Sequence, residues 1–119
     1  MMTTDEVIRR FNAAFQSHDP TLLDGLVAED CVIENTVPAP DGARVEGGAA
    51  CLALWQGIAA APGTWFYLEE VAVFGERAVI QWRYHWGEGV ADSIRGVNLM
   101  RVRGGRIVEG LGYVKGPGH

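Results

Sequence analysis

Cysteine is scarce in this chain, histidine is scattered, basic charge is in the minority and no apolar run is long. Each shortage removes a class of function. The two cysteines, Cys31 and Cys51, stand on different apolar segments with no C-x-x-C or metal-like spacing. They read as buried, reduced thiols rather than as a disulfide or a nucleophile. His18, His85 and His119 lie far apart and no acidic pair sits at ligand spacing, so neither a metal nor any other cofactor is expected. Ten basic against fifteen acidic residues leave a net charge of −5. That balance repels phosphate backbones and anionic membranes, so nucleic acid and membrane surfaces are not expected partners. No stretch approaches the roughly 18 unbroken apolar residues of a spanning helix. The start "MMTTDEVIRR" is acidic and polar where a signal peptide would be basic and then apolar, which points to a cytoplasmic location. There is no internal repeat.

What remains is 119 residues of 48% hydrophobic content, read as one domain over 1–119. A chain of that length buries roughly 65 to 70% of its unfolded surface around one core. "TTDEVIRRFNAAFQSHD" has Thr3 as a cap with Glu6 three residues on, and Val7, Phe11, Ala14 and Phe15 at helical spacing. "DPTLLDGLVAED" starts a second helix, with Asp19 as cap and Pro20 at the first position. A strand over 31–37 and a Pro/Gly loop follow. "GGAACLALWQGIAAAPG" then spaces Cys51, Leu54, Trp55 and Ile58 as a helix that Pro62 stops. From Thr64 the texture turns β-branched and aromatic, with four strands joined at Gly75-Glu76, at Gly89 to Asp92 and at Gly104-Gly105. These form an antiparallel meander. The final "GPGH" looks frayed. Three helices and then strands make an α+β protein, and helices that cover only part of a curled sheet leave a mostly apolar pocket.

The "HDP" after the first helix, "EDCVIENTVPAPDGARVEG" and the ending "RGVNLMRVRGGRIVEGLGYVKG" resemble the SnoaL-like branch of the nuclear transport factor 2-like superfamily, over essentially the whole chain. The resemblance implies a cone-shaped barrel of three N-terminal helices packed on a curved, mainly antiparallel sheet. It implies a homodimer through the outer sheet face, and an interior cavity that hosts different chemistries in different members. Ketosteroid isomerases are similar around "VIEN" and "GVNLMRV". There the resemblance sets an aspartate base at Asn35, a protonated aspartic acid at Asn98 and a tyrosine near Phe11. An amide is no base and a phenyl ring no donor, so that mechanism lacks its parts. Limonene epoxide hydrolases resemble the chain in an asparagine at position 35. Their acid-arginine-acid set falls near Asn98, Gly96 and Gly112, and the acid of SnoaL-like cyclases also falls at Gly112. None of these matches.

Both comparisons make position 35 a pocket position, so Asn35 looks inward and Glu34 outward; the plainer alternative is an asparagine that caps the turn before Pro38. Strand alternation puts Gly96, Asn98, Met100 and Val102 on one face. On "RAVIQWRYHW" a cavity wall takes Trp82, Tyr84 and Trp86, which sends His85 outside. The opposite register makes His85 the one group suited to acid-base work at neutral pH. Glu109 shares the parity of Ile107, and whether it reaches the cavity turns on a possible bulge. The candidate site is therefore Asn35, Asn98, Phe11, Trp55, Trp82, Tyr84, Trp86 and Met100 around a small-molecule ligand, with His85 and Glu109 as weak catalytic candidates. Two functions follow. One is a cofactor-free isomerase, cyclase or epoxide hydrolase acting on a small apolar or polyketide-like molecule; the other is a non-catalytic ligand-binding or dimeric scaffold protein.

Overall fold

The computed structural model describes residues 1–116, so the terminal residues 117–119, with most of "GPGH" and with His119, lie outside it. Helix α1 spans Thr4–Gln16, and Thr3 closes a reciprocal capping box with Glu6. The expected second helix is instead one 3₁₀ turn, Pro20–Leu23, capped by Asp19. Gly25 stops it there by taking a left-handed φ of 75°, which glycine adopts without a Cβ clash. Chain direction then changes early, and strand β1 begins at Val27 and runs to Glu34. The Pro/Gly loop holds a short strand that its composition hides, β2, Arg44–Glu46, paired antiparallel to β1. Helix α2, Gly48–Ala60, ends two residues before Pro62. The meander follows as expected: β3 Trp65–Phe74, β4 Arg77–His85, β5 Ser93–Arg103 and β6 Arg106–Val114. Gly104 and Gly105 both carry positive φ between Arg103 and its partner Arg106, the requirement of a tight type I′ hairpin.

The six strands form one sheet in the order β2-β1-β6-β5-β4-β3. Only the β1–β6 pair is parallel. The two α-helices lie on one face, and the result is α+β with two full helices where three were expected. Among the described residues no helix is long and apolar enough to cross a membrane.

Alternation divides the sheet lengthwise. Toward one end, Ala78 and Ile80 of β4, Met100 and Val102 of β5 and Ile107 of β6 are buried with Val7, Ile8, Leu23 and Leu26. Burial of each such large side chain stabilises by about 1.5–3 kcal/mol. Toward the other end the same inner face lines a cavity. The opposite, outer face carries no helix and exposes Trp65, Tyr67, Phe74, Leu99 and Tyr113.

A bulge sets what β6 shows the cavity. Arg101 pairs with Glu109 but Val102 pairs with Ile107, so Val108 is extra, and Ile107 and Val108 are buried side by side. Parity flips at that point. Ile107 faces the core, yet Gly110, Gly112 and Val114 are the residues of β6 that line the cavity, and Glu109 faces out with its partners Arg101 and Val32.

Two glycines test this packing with opposite signs. A Cβ at Gly110 would stand 2.6 Å from Trp55 Cζ2 and 3.4 Å from Met100 Sδ, so Gly110→Ala is expected to destabilise by about 1–3 kcal/mol through overpacking. Gly57, within α2, has open space around its Cβ position, so Gly57→Ala is expected to stabilise by about 0.5–1 kcal/mol. Urea unfolding of both variants checks the pair, and equal effects of one sign would contradict the packing.

Candidate ligand cavity

The cavity has a volume of about 480 Å³ between the helices and the inner sheet face. Aromatic rings make most of its wall. Phe11 and Phe15 come from α1, Trp55 from α2, Phe66 from β3, and Trp82 and Tyr84 from β4. They brace one another: Phe11 meets Trp55 edge-on at 5.0 Å between centroids, and Phe66 meets Trp82 at 5.4 Å. Such pairs contribute about 0.5–1.5 kcal/mol each beyond burial. The wall is therefore rigid as well as apolar. Trp86, beyond the end of β4, is 50% exposed and lines the mouth.

The polar groups are few. Trp82 lies across from Gly96, whose missing Cβ leaves room for the indole. The indole N–H then donates to Asn98 Oδ1 at 3.2 Å. Because that N–H can only donate, the Asn98 carbonyl must face Trp82 and its NH₂ is left as a donor in the wall. Asn35 follows the same logic one strand away. Its Oδ1 accepts the Thr36 backbone N–H at 2.8 Å, and among the described residues its NH₂ has no acceptor. The loop that holds it is closed by Asn35 N–H donating to Ala43 O, and Ala43 N–H to Val37 O, both at 2.9 Å. Gly42 makes that closure possible, since a Cβ there would collide with the Asn35 carbonyl. Asn35 thus does both things considered for it, ending the strand with a local turn bond and lining the cavity.

Phe11, Trp55, Trp82, Tyr84, Trp86, Asn35 and Asn98 all lie in the cavity wall. Met100 does not. It is 2% exposed and lies directly across the ladder from Gly110, its sulfur 3.4 Å from where a Cβ on that glycine would stand, because the sheet inner face has passed from cavity to core at that level. His85 also stands apart: it shares the outer face with Trp65 and stacks on it at 5.0 Å and 6°. Trp65, 40% exposed, is accordingly a surface residue. The bulge at Val108 takes Glu109 outside as well.

Among the described residues no histidine, lysine or arginine lines the cavity, and Glu34 is the one carboxylate residue at its edge. That carboxylate accepts from Arg44 at 3.1 Å, and Arg44 also binds Glu46 at 2.9 Å. Elsewhere the two thiols are chemically quiet. Burial, and the Cys51 thiol beside it, push the Cys31 thiol up to about 12, and burial raises Cys51. Neither is a thiolate near neutrality; above the ordinary cysteine range the unfolded chain ionises first, so this pair lowers stability as pH rises. Among the described residues no three His, Cys, Asp or Glu side chains converge as metal ligands.

Asn12 of α1, a polar residue absent from the expected site, also lines the cavity and is 9% exposed. Its signal was present, a polar side chain adjoining Phe11 and one turn after Ile8 on the apolar stripe.

Comparison with known proteins closes the question of kinship. The SnoaL-like domain profile matches residues 8–110. The chain belongs to the SnoaL-like domain family. An NTF2-like protein of unknown function from Mesorhizobium loti is 63% identical, with a TM-score of 0.89 over 95% of this chain and 91% of that one. A Kribbella flavida structure provisionally named a ketosteroid isomerase superposes with a TM-score of 0.77 at 19% identity, covering 98% and 80%. An epoxide hydrolase of Mycobacterium tuberculosis superposes at 0.73 and 18%, covering 94% and 78%. At those identities the likeness is one of fold. No protein of curated function matches the chain.

With His85 and Glu109 on the outer face, His85→Ala and Glu109→Gln are expected to leave the affinity of a cavity-bound fluorophore such as Nile red within about twofold of the parent. A tenfold loss in either variant would place that residue in the site.

Proposed function

We propose that this SnoaL-like protein binds a neutral, flat, largely hydrocarbon molecule and holds one acceptor oxygen of it, a ketone or similar carbonyl, on the free NH₂ groups of Asn98 and Asn35. The observation that carries this reading is the Trp82–Asn98 hydrogen bond, which turns the Asn98 oxygen toward the indole and presents its NH₂ as the donor. The aromatic wall suits flat rings, and among the described residues it holds no cationic side chain to pair with an anion. The unbridged thiols of Cys31 and Cys51 fit the reducing cytoplasm.

The reading favours binding over turnover because proton transfer needs a base within hydrogen-bond reach of the reacting atom. The cavity wall supplies amides, Thr36 and a tyrosine hydroxyl, and its one carboxylate is tied to Arg44. A catalytic reading survives in one form, isomerisation or cyclisation of a substrate that carries its own base, with the amides polarising the carbonyl.

Calorimetric titration with 9-fluorenone and with fluorene, its parent hydrocarbon, tests the proposal. The ketone is expected to bind about tenfold tighter, the value of one buried hydrogen bond, and Asn98→Leu to erase the difference. Equal affinities for the two on the parent protein would sink the reading. Incubation with 2-tetralone in D₂O separates the two forms: no α-proton exchange beyond the uncatalysed rate is expected, and accelerated exchange would reveal a base in the cavity.

A further inference from the structure

Asn12 is the one buried polar residue among the described residues. It sits mid-helix in α1, where asparagine is a weak helix former, among the buried side chains of Ile8, Phe11 and Phe15. A leucine or alanine there would serve both helix and core better. Its side chain opens into the cavity and makes no hydrogen bond to the other described residues. Unlike Asn35 and Asn98, whose oxygens are engaged, it keeps both a donor and an acceptor. One turn further along, Gln16 also lines the cavity; its Nε2 donates to the Phe66 carbonyl, which leaves Oε1 as a second acceptor on the same side of α1.

These groups face the sheet wall that carries Asn98. A purely hydrocarbon ligand edge pressed against Asn12 would strip its solvent and return nothing, a loss of about tenfold or more in affinity. A hydroxyl fits all three positions, accepting from Asn12 Nδ2 and donating to Asn12 Oδ1 or Gln16 Oε1.

We infer that Asn12 reads a second polar group of the ligand, and that the ligand class is a hydroxy ketone: a flat ring framework with its carbonyl on the sheet side at Asn98 and a hydroxyl on the helix side at Asn12. The inference rests on the cavity reading above and adds a specificity-determining residue and a substituent to it.

The test compares 9-fluorenone with 2-, 3- and 4-hydroxy-9-fluorenone on the parent protein, on Asn12→Leu and on Asn12→Ala, by calorimetry, with thermal melts of each ligand-free variant. At least one isomer is expected to bind the parent about tenfold tighter than fluorenone. Both variants should lose that increment, keep the preference for fluorenone over fluorene, and melt no lower than the parent. The inference is overturned if no isomer gains on the parent, or if the gain persists in both variants. Failure of the site reading looks different, since fluorenone itself would then bind no better than fluorene, and both ideas fall together.

Discussion

The indole N–H of Trp82 has no acceptor chemistry of its own, and its bond to Asn98 Oδ1 decides what the cavity can offer. An asparagine in an apolar wall is ambiguous, since either end of the amide can face a ligand. Here one end is taken. The ring can reach because Gly96, directly opposite Trp82 in the ladder, has no side chain to lift it. A glycine on one strand, a tryptophan on the next and an amide two residues along thereby become a single oriented donor. The aromatic girdle of Phe11, Trp55, Phe66 and Tyr84 keeps that donor in a low-dielectric setting, where a hydrogen bond counts for more than in water.

The same wall explains why relatives of similar shape carry different names. The family scaffold provides a partly covered sheet, and the chemistry depends on what a few inward positions hold. In this chain position 112 is glycine, and a Cβ there would meet Thr36 and stand 3.5 Å from Asn98 Oδ1. An acid at that spot would lie against the amide. With glycine there, the proposed reading rests on the amide as a hydrogen-bond donor to a ligand oxygen.

Much of the architecture was legible because local signals agreed with the global pattern. The Thr3–Glu6 capping box, the helical spacing of Val7, Phe11 and Phe15, and the hairpin glycines 104 and 105 each announce their element. The alternation of Asn98 with Met100 and Val102 placed the pocket amide on the inner face. Where reading failed, a non-local or single-residue event had intervened. Gly25 cut the second helix to one turn, and β2 exists only because β1 offers it a partner. The bulge at Val108 separated Glu109 from Ile107, which parity alone had joined. Met100 kept its face but not its depth, since strand alternation says which side a residue takes and nothing of how far along the sheet the core ends. Asn12 was passed over because a helix pattern absorbs one polar residue without protest.

The most direct measurement is side-chain NMR of the parent protein titrated with 9-fluorenone, following the Asn98 NH₂ and the indole N–H resonances of Trp82 and Trp65. The expected result is a large shift of the Asn98 NH₂ on binding, a Trp82 indole proton protected from exchange before and after, and a silent Trp65. An unprotected Trp82 indole in the free protein, or shifts centred on Trp65 and the outer face, would contradict the account.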